Sequence, residues 1–278
     1  MPAHTDLVRQ FYDQYGEREW DRFHQNATGR LTLHLHTHLL AGLLRPGLRV
    51  LDAGSGAGRF SLQCLEAGAT VTMLDLSSRQ LELAREKTAD HTDLIDSIHQ
   101  GNIADLSEFS SESFDLVLCY GSVLCYLGAE IDHAIEELAR VTRKGGRVVT
   151  SVGSRYGLLR FAAGNPRLDP DGFLGRPDYW HVHSVLATGD LPRHPEVEQP
   201  ARHFFTSDEL SKRMQSAGLT METMGAAPAV ASGLFERLDE IRSSESAWRT
   251  LVKIEEQAYT QPGLADAGDF ILACAAKR

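Results

Sequence analysis

The 278-residue sequence is short of cysteine, of basic residues and of long apolar runs. No CxxC pair and no secretory apolar segment occurs, so we expect reduced thiols in a cytoplasmic protein. No run approaches the roughly eighteen apolar residues of a membrane span, so no membrane role is predicted. With 28 Lys and Arg against 38 Asp and Glu, the net charge of −10 argues against a nucleic-acid-binding surface.

Apolar residues make up 42% of the chain, which is enough to bury a full core. The length fits one large domain with insertions, or one domain with a small lid. Strand-like and helix-like stretches alternate along the whole chain, from a strand at 49–53 to a last strand at 268–276. This alternation predicts an α/β fold with a doubly wound sheet of seven strands.

The stretch VLDAGSGAGRF, residues 50–60, combines a strand, a tight glycine turn and the start of a helix. Glycine suits such a turn because the backbone takes positive φ and because a Cβ would block a ligand lying against it. The helix behind the turn offers unpaired N–H groups. The pattern therefore predicts a nucleotide-binding turn, with a turn that binds no ligand as the alternative.

The glycine spacing separates two cofactor classes. Dinucleotide sites use G-x-G-x-x-G, whereas Gly54, Gly56 and Gly58 come at every second position and Arg59 follows. Asp52 puts a carboxylate at the strand tip, which suits an ammonium group better than a pyrophosphate. The stretch resembles motif I (D/E-x-G-x-G-x-G) of the class I S-adenosylmethionine (SAM)-dependent methyltransferases. The resemblance implies SAM as cofactor, bound by Asp52, Ala53 and the three glycines; a nicotinamide-dependent oxidoreductase or a non-catalytic SAM-binding protein is the alternative.

Asp75 ends the next strand, at about the twenty-residue offset where an acid accepts both ribose hydroxyls of a nucleotide. Ser77 supplies the cap of the following helix, so Asp75 is not needed for that role. Leu76 is then expected to pack on the adenine. By resemblance, Asn102 faces the exocyclic amine of the adenine and the Ile103 N–H meets a ring nitrogen; a plain turn at Asn102 is the alternative.

FDLVLCYGSVLCYL, residues 114–127, has the continuous apolar character of a central parallel strand and resembles motif IV of the same family. Cys119 and Tyr120 are expected at the carboxyl end of this strand, at the switch point where ligands bind. We therefore predict that both contact the cofactor region, with Tyr120 close to the methyl donor. Burial as a small apolar side chain is the alternative for Cys119.

Aromatic residues dominate one face of the amphipathic helices predicted over 5–26. Such a stripe is often simple packing on the core. The pattern FYDxxGExEWxRF is similar to that of one bacterial group of the family, in which an N-terminal helix folds over the cofactor. Tyr12 and Trp20 are the candidates there, since an aromatic ring attracts a sulfonium.

Residues 156–205 contain many prolines, aromatic residues and histidines but little periodicity, which indicates an ordered lid over a pocket. A hydroxyl or amine acceptor needs a base, and His203 leads because it stands just before the helix that returns the chain to the sheet. His181 follows. The aromatic lid and the acidic surface favour a small, partly apolar or aromatic metabolite as acceptor; a tRNA or protein acceptor is the alternative.

His34 and His38 lie one turn apart on a predicted helix over 28–44. They could share a metal, but no third ligand is apparent nearby in the sequence, so no metal site is predicted there. Partly packed histidines are the simpler interpretation.

The resemblance implies a Rossmann-like methyltransferase fold, a mostly parallel sheet with an antiparallel last strand. The predicted division is an N-terminal helical cover (1–47), a SAM-binding core (48–155), a lid insertion (156–205) and a C-terminal part of the sheet (206–278) with a helical insertion (229–260). The oligomeric state and the acceptor atom are not predicted.

Overall fold

Nearly all strands of the protein join one sheet in the computed structural model, which describes residues 3–278. The strands are β1 (Arg49–Ala53), β2 (Thr70–Asp75), β3 (Ile95–Gln100), β4 (Phe114–Cys119), β5 (Thr142–Gly153), β6 (Asp190–Leu191), β7 (Arg202–His203), β8 (Leu219–Ala227) and β9 (Phe270–Lys277). The central strands β1, β2 and β4 are apolar and buried over most of their length, as parallel strands covered on both faces must be.

The large sheet has seven strands in the order β3-β2-β1-β4-β5-β9-β8. Leu51 of β1 pairs in parallel with Thr72 of β2 and with Val117 of β4. β9 runs antiparallel to both of its neighbours, β5 and β8. The predicted doubly wound, mostly parallel sheet with an antiparallel last strand is confirmed, and its switch point lies between β1 and β4, where a crevice for a ligand is expected.

Helices cover both faces of the sheet. They are α1 (His4–Tyr15), α2 (Arg18–Asp21), α3 (Ala27–Ala41), α4 (Arg59–Glu66), α5 (Ser78–Lys87), α6 (Ile131–Val141), α7 (Arg155–Gly164), α8 (Pro170–Phe173), α9 (Val182–Thr188), α10 (Ser207–Ser216), α11 (Glu236–Ser243) and α12 (Glu245–Ala258). The Ser77 hydroxyl accepts from the Gln80 N–H, so the N-cap predicted for α5 is confirmed, and the Thr206 hydroxyl caps α10 in the same way by accepting from the Glu209 N–H.

The core has two layers, one on each face of the sheet. Ile135 and Leu138 of α6 pack with Leu210 of α10 on one face, while Leu35 of α3 and Leu65 of α4 pack on the other. A third cluster, centred on the fully buried Leu31 and Leu238, joins α3 to α11 and α12. Within residues 3–278, no helix is both long and apolar enough to cross a membrane.

Two expectations about element boundaries need correction. The fourth strand was expected over 114–127 but ends at Cys119, because Gly121 (φ 82°) and Ser122 (φ 68°) turn the chain into a 3₁₀ helix at Val123–Tyr126. The lid segment, residues 156–205, has more regular structure than its low periodicity indicated. It contains α8, α9 and the small β6–β7 pairing, in which Asp190 is opposite His203. The division into four parts stays a prediction.

Candidate active site

The glycine turn between β1 and α4 forms the base of the site. Gly54 (φ 87°) and Gly58 (φ 81°) both adopt the left-handed backbone conformation that other residues avoid. The Gly54 and Ser55 N–H groups donate to the Leu74 carbonyl at 2.7 and 3.0 Å, which ties the turn to β2. A Cβ on Gly54 would collide with the Val123 side chain, and one on Gly58 would press on Ala84. The sequence therefore needs glycine at both positions for steric reasons.

Asp75 stands at the carboxyl end of β2 beside this turn. Its Oδ2 accepts from the Gly56 N–H and its Oδ1 from the Ser77 N–H, both at 2.8 Å. Burial raises the pKa of Asp75 to about 6, although these two hydrogen bonds oppose the shift. The carboxylate is thus fixed in orientation and retains acceptor capacity for two further hydrogen bonds.

One cavity, here called the glycine-turn cavity, collects most of the predicted cofactor contacts. It is lined by Gly54, Gly56, Asp75, Leu76, Asn102, Ile103, Tyr120, Tyr12 and Trp20 among others. Its volume is about 90 Å³. This is smaller than the roughly 300 to 1,000 Å³ of small-molecule sites.

The other predicted contact residues do not line this cavity: Asp52, Ala53, Gly58 and Cys119. Asp52 is 1% exposed, accepts from the Ser61 hydroxyl at 2.6 Å, and has its pKa raised to about 6 by burial. Cys119 is fully buried at the end of the central strand β4. The direct ammonium contact expected of Asp52 is therefore not supported, because its carboxylate is directed to α4.

The helices α1 and α2 cover the cavity from the outside. The Arg59 guanidinium lies 3.5 Å from the Trp20 ring centroid and donates to the Trp20 carbonyl at 2.7 Å. Glu19 accepts from Arg22 at 2.7 Å, and both side chains line the cavity. Neither was a sequence candidate, although both lie within the FYDxxGExEWxRF pattern. Glu19 and Arg22 are three residues apart, which is the spacing at which an acid and a base on a helix can pair. This spacing, close to Trp20, was the signal in the sequence that could have identified them.

Two buried hydroxyls in the cavity wall lack a partner. Within residues 3–278, neither the Ser55 Oγ nor the Tyr120 hydroxyl makes a hydrogen bond. Buried polar groups are normally satisfied, so unpaired ones in a cavity wall point to a ligand with polar atoms. Together with the Asp75 carboxylate and the aromatic cover, they fit the ribose, amino-acid and sulfonium groups of SAM. Burial raises the pKa of Tyr120 far above its ordinary value, so Tyr120 remains a neutral phenol and cannot act as a base near pH 7.

The two histidines predicted as catalytic bases lie outside the glycine-turn cavity. His203 is buried in β7, where Nδ1 contacts Asp190 and Nε2 contacts Glu209, each at 2.7 Å. Both ring nitrogens are therefore occupied and His203 does not line the glycine-turn cavity, so this geometry does not support the general-base role, which stays a prediction. His181 precedes α9 with φ 57° and lies 6.2 Å from the His194 ring, in the lid segment. Neither ring reaches the space beside Tyr120.

His203→Ala is expected to affect stability in a pH-dependent way. Burial lowers the pKa of His203, but the hydrogen bonds that its ring donates to Glu209 and Asp190 outweigh burial and raise the pKa above its ordinary value. The stabilisation is therefore complete below the unfolded-state pKa and is lost as pH rises through the folded-state value. We expect the substitution to cost about 1 to 3 kcal/mol of unfolding free energy at about pH 6 and less at about pH 9.

Thermal unfolding of wild type and variant at both pH values measures this difference. His183→Ala is the matched control, because His183 is 70% exposed and lies 3.8 Å from Asp178. An equal loss at both pH values would contradict the role of the charged His203.

Two further cavities extend from the glycine-turn cavity towards the lid segment. The middle cavity, about 410 Å³, shares Tyr12, Glu19, Arg22, Gly121 and Tyr126 with the glycine-turn cavity. The lid cavity, about 500 Å³ and mostly apolar, shares Leu158, Phe161, Gln199 and Arg202 with the middle cavity. The three cavities therefore form a continuous row from the turn to the underside of the lid.

Comparison with known proteins agrees with this arrangement. A family model described as a methyltransferase domain matches residues 51–150. A malonyl-[acyl-carrier protein] O-methyltransferase of Pectobacterium atrosepticum is 30% identical over 188 residues, which cover 67% of this chain and 70% of that protein. A protein of the same name from Serratia marcescens is 36% identical over 110 residues, which cover 40% of each chain.

Solved structures support the same fold. A Burkholderia thailandensis 1,6-didemethyltoxoflavin-N1-methyltransferase with bound S-adenosylhomocysteine has a TM-score of 0.60 at 17% identity, over 100% of this chain and 91% of that one. The magnesium protoporphyrin IX methyltransferase of Synechocystis has a TM-score of 0.59 at 16% identity, over 99% and 100%. The glycine turn, the sheet order and the similarity to the Pectobacterium relative agree with one another. The chain belongs to the class I SAM-dependent methyltransferases.

Proposed function

We propose that the protein transfers the methyl group of SAM to an oxygen of a small, partly apolar acceptor that carries a carboxylate. The relatives from Pectobacterium and Serratia are named as O-methyltransferases of a malonyl group, which is a carboxylate on a thioester. The expectation from sequence left oxygen and nitrogen open. The row of cavities and its charged groups favour oxygen.

The glycine-turn cavity supports the cofactor half of this proposal. When bound, SAM supplies a methyl group already activated on a sulfonium. Asp75 would accept from the ribose hydroxyls, and Leu76, Asn102 and Ile103 would hold the adenine. Tyr12 and Tyr120 would face the sulfonium, where aromatic rings attract a cation. The protein's contribution is then to align the acceptor atom with the methyl carbon and to exclude water.

Arg202 supports the part of the proposal that concerns the acceptor. Within residues 3–278 its buried Nε has no hydrogen-bond partner, and its guanidinium lies 5.0 Å from the Phe204 ring centroid. It lines both the middle cavity and the lid cavity. A guanidinium with a free buried N–H is a ready partner for a carboxylate, and the apolar lid cavity beyond it suits a hydrocarbon portion.

The lack of a lining histidine among the described residues favours a carboxylate over a hydroxyl or amine, since the carboxylates of Glu19 and Asp75 that line the glycine-turn cavity already accept hydrogen bonds from Arg22 and from the glycine turn. Among the described residues, no histidine lines the glycine-turn cavity or the middle cavity. A hydroxyl or protonated amine must lose a proton during transfer, whereas a carboxylate is already ionised at neutral pH. Orientation alone then suffices for the reaction.

The proposal is tested by a panel of acceptors and by Arg202→Gln. We expect methyl transfer to malonyl and longer dicarboxylic acyl thioesters, and none to their methyl esters, a phenol or an amine. Removing one charge-assisted hydrogen bond should raise the acceptor KM about tenfold or more. Release of S-adenosylhomocysteine measures turnover.

The matched control is Arg176→Gln. Arg176 also lines the lid cavity, but it stacks on Tyr179 and does not reach the middle cavity. Turnover on the phenol or amine alone, or an equal effect of both substitutions, would overturn the carboxylate assignment.

A further inference from the structure

Three potential metal ligands meet where α3 faces α12. His34 and His38 stand one turn apart on α3, and Glu256 approaches them from α12. The Glu256 Oε1 lies 2.8 Å from the His34 Nε2 and 3.8 Å from the His38 Nδ1. One ligand atom from each of the three residues lies within 4.8 Å of the other two. The sequence around the histidines does not reveal a third ligand. The structure supplies one in Glu256, which is more than two hundred positions away in the chain.

The separations suit a small divalent ion. Bonds of about 2.0 to 2.1 Å in tetrahedral geometry put neighbouring ligand atoms roughly 3.3 Å apart. The two measured separations lie on either side of this value, so small side-chain rotations would complete the set. The His34 and His38 side chains are 39% and 43% exposed, which leaves a fourth position open to water. Two imidazoles and one carboxylate suit zinc and neighbouring first-row metals.

We propose that His34, His38 and Glu256 bind one divalent transition-metal ion of the zinc type. The ion would link α12 to α3. Tyr259, directly after α12, already packs on the His38 ring at 5.8 Å between centroids. None of the three ligands lines the glycine-turn, middle or lid cavity, so the site is structural and separate from methyl transfer.

His38 distinguishes a metal site from an ordinary polar contact. At 3.8 Å it makes no hydrogen bond with Glu256, whereas His34 does at 2.8 Å. His38→Ala therefore leaves the hydrogen-bonded pair intact and removes one ligand. If the cluster were only a hydrogen bond between His34 and Glu256, His38 would not be a ligand, and His38→Ala would not change the affinity of the protein for Zn²⁺.

The experiment uses the untagged full-length protein and Zn²⁺, with Co²⁺ as a spectroscopic probe. We expect one bound equivalent of Zn²⁺ by equilibrium dialysis, Co²⁺ absorption typical of tetrahedral coordination, and a Tm that rises with added Zn²⁺. His38→Ala and Glu256→Gln should each weaken binding tenfold or more, since even residues that only orient a metal ligand contribute about that much.

The matched control is His133→Ala on α6, where His133 lies 3.7 Å from Glu136 in an exposed pair without a second histidine. This variant should bind Zn²⁺ like the wild type. Binding of S-adenosylhomocysteine shows that each variant is folded. Failure of wild type to retain one equivalent, or equal affinity in wild type and His38→Ala, would overturn the site whether or not methyl transfer is observed.

Discussion

Asp75→Asn is expected to weaken binding of S-adenosylhomocysteine about a hundredfold. The Asp75 carboxylate accepts from Gly56 and Ser77 in the free protein and is expected to accept from both ribose hydroxyls in the complex. Hydrogen bonds to a charged group contribute about 1.5 to 3 kcal/mol each, and about 2.8 kcal/mol corresponds to a hundredfold. An amide has a single oxygen, and its NH₂ group would oppose a backbone donor. Isothermal titration calorimetry measures the change.

The pH dependence of binding gives a second readout for Asp75. Burial raises its pKa to about 6 in the free protein, so below this value the carboxyl group must lose a proton before it can accept from both hydroxyls. The affinity of the wild type for S-adenosylhomocysteine should therefore decline as pH falls through about 6. The affinity of Asp75→Asn for the same ligand should change less.

The matched control is Asp96→Asn on β3, whose carboxylate accepts from the Thr72 hydroxyl outside the cavity. Unchanged affinity in Asp75→Asn would remove Asp75 from the ribose contact.

The sheet and most of the residues that line the glycine-turn cavity were predictable because their signals are local. The glycine turn at 54–58 and Asp75 follow buried strands directly, and parallel strands place their carboxyl ends at one edge. Tyr120 was placed by the same rule. The apolar run itself continues past the turn at Gly121 and does not mark the end of β4.

Contacts between distant segments were not predictable in the same way. The sequence offers His203 as a histidine before a helix, but its pairing with Asp190 and Glu209 depends on the fold of the lid segment. Glu256 reaches His34 only because α12 returns to α3 after the sheet is nearly complete. A single sequence carries no local signal for such pairs, so residue type alone did not reveal that both ring nitrogens of His203 are paired.

Gly54→Ala is expected to destabilise the protein and to abolish cofactor binding. The position has φ 87°, where a residue other than glycine costs about 1 to 3 kcal/mol. The added Cβ would also meet both methyl groups of Val123, which lines the glycine-turn cavity opposite the turn. Relief of this collision must move the turn or Val123, and either movement changes the wall against which the cofactor lies. Each kcal/mol lost lowers Tm by roughly 2 to 4 °C in a chain of this size.

Gly145→Ala separates the effect of backbone strain from the effect of the collision with Val123. Gly145 has φ 75°, but nothing lies within 4 Å of its Cβ position, so this variant has the backbone strain without the collision. It should lose some stability and bind S-adenosylhomocysteine normally. Adding Val123→Ala to Gly54→Ala removes the colliding methyl groups and should return Tm to about the level of Gly145→Ala. If Gly54→Ala and Gly145→Ala lose equal stability and both bind the cofactor, backbone conformation alone explains the glycine at position 54, and close packing of the turn against Val123 does not.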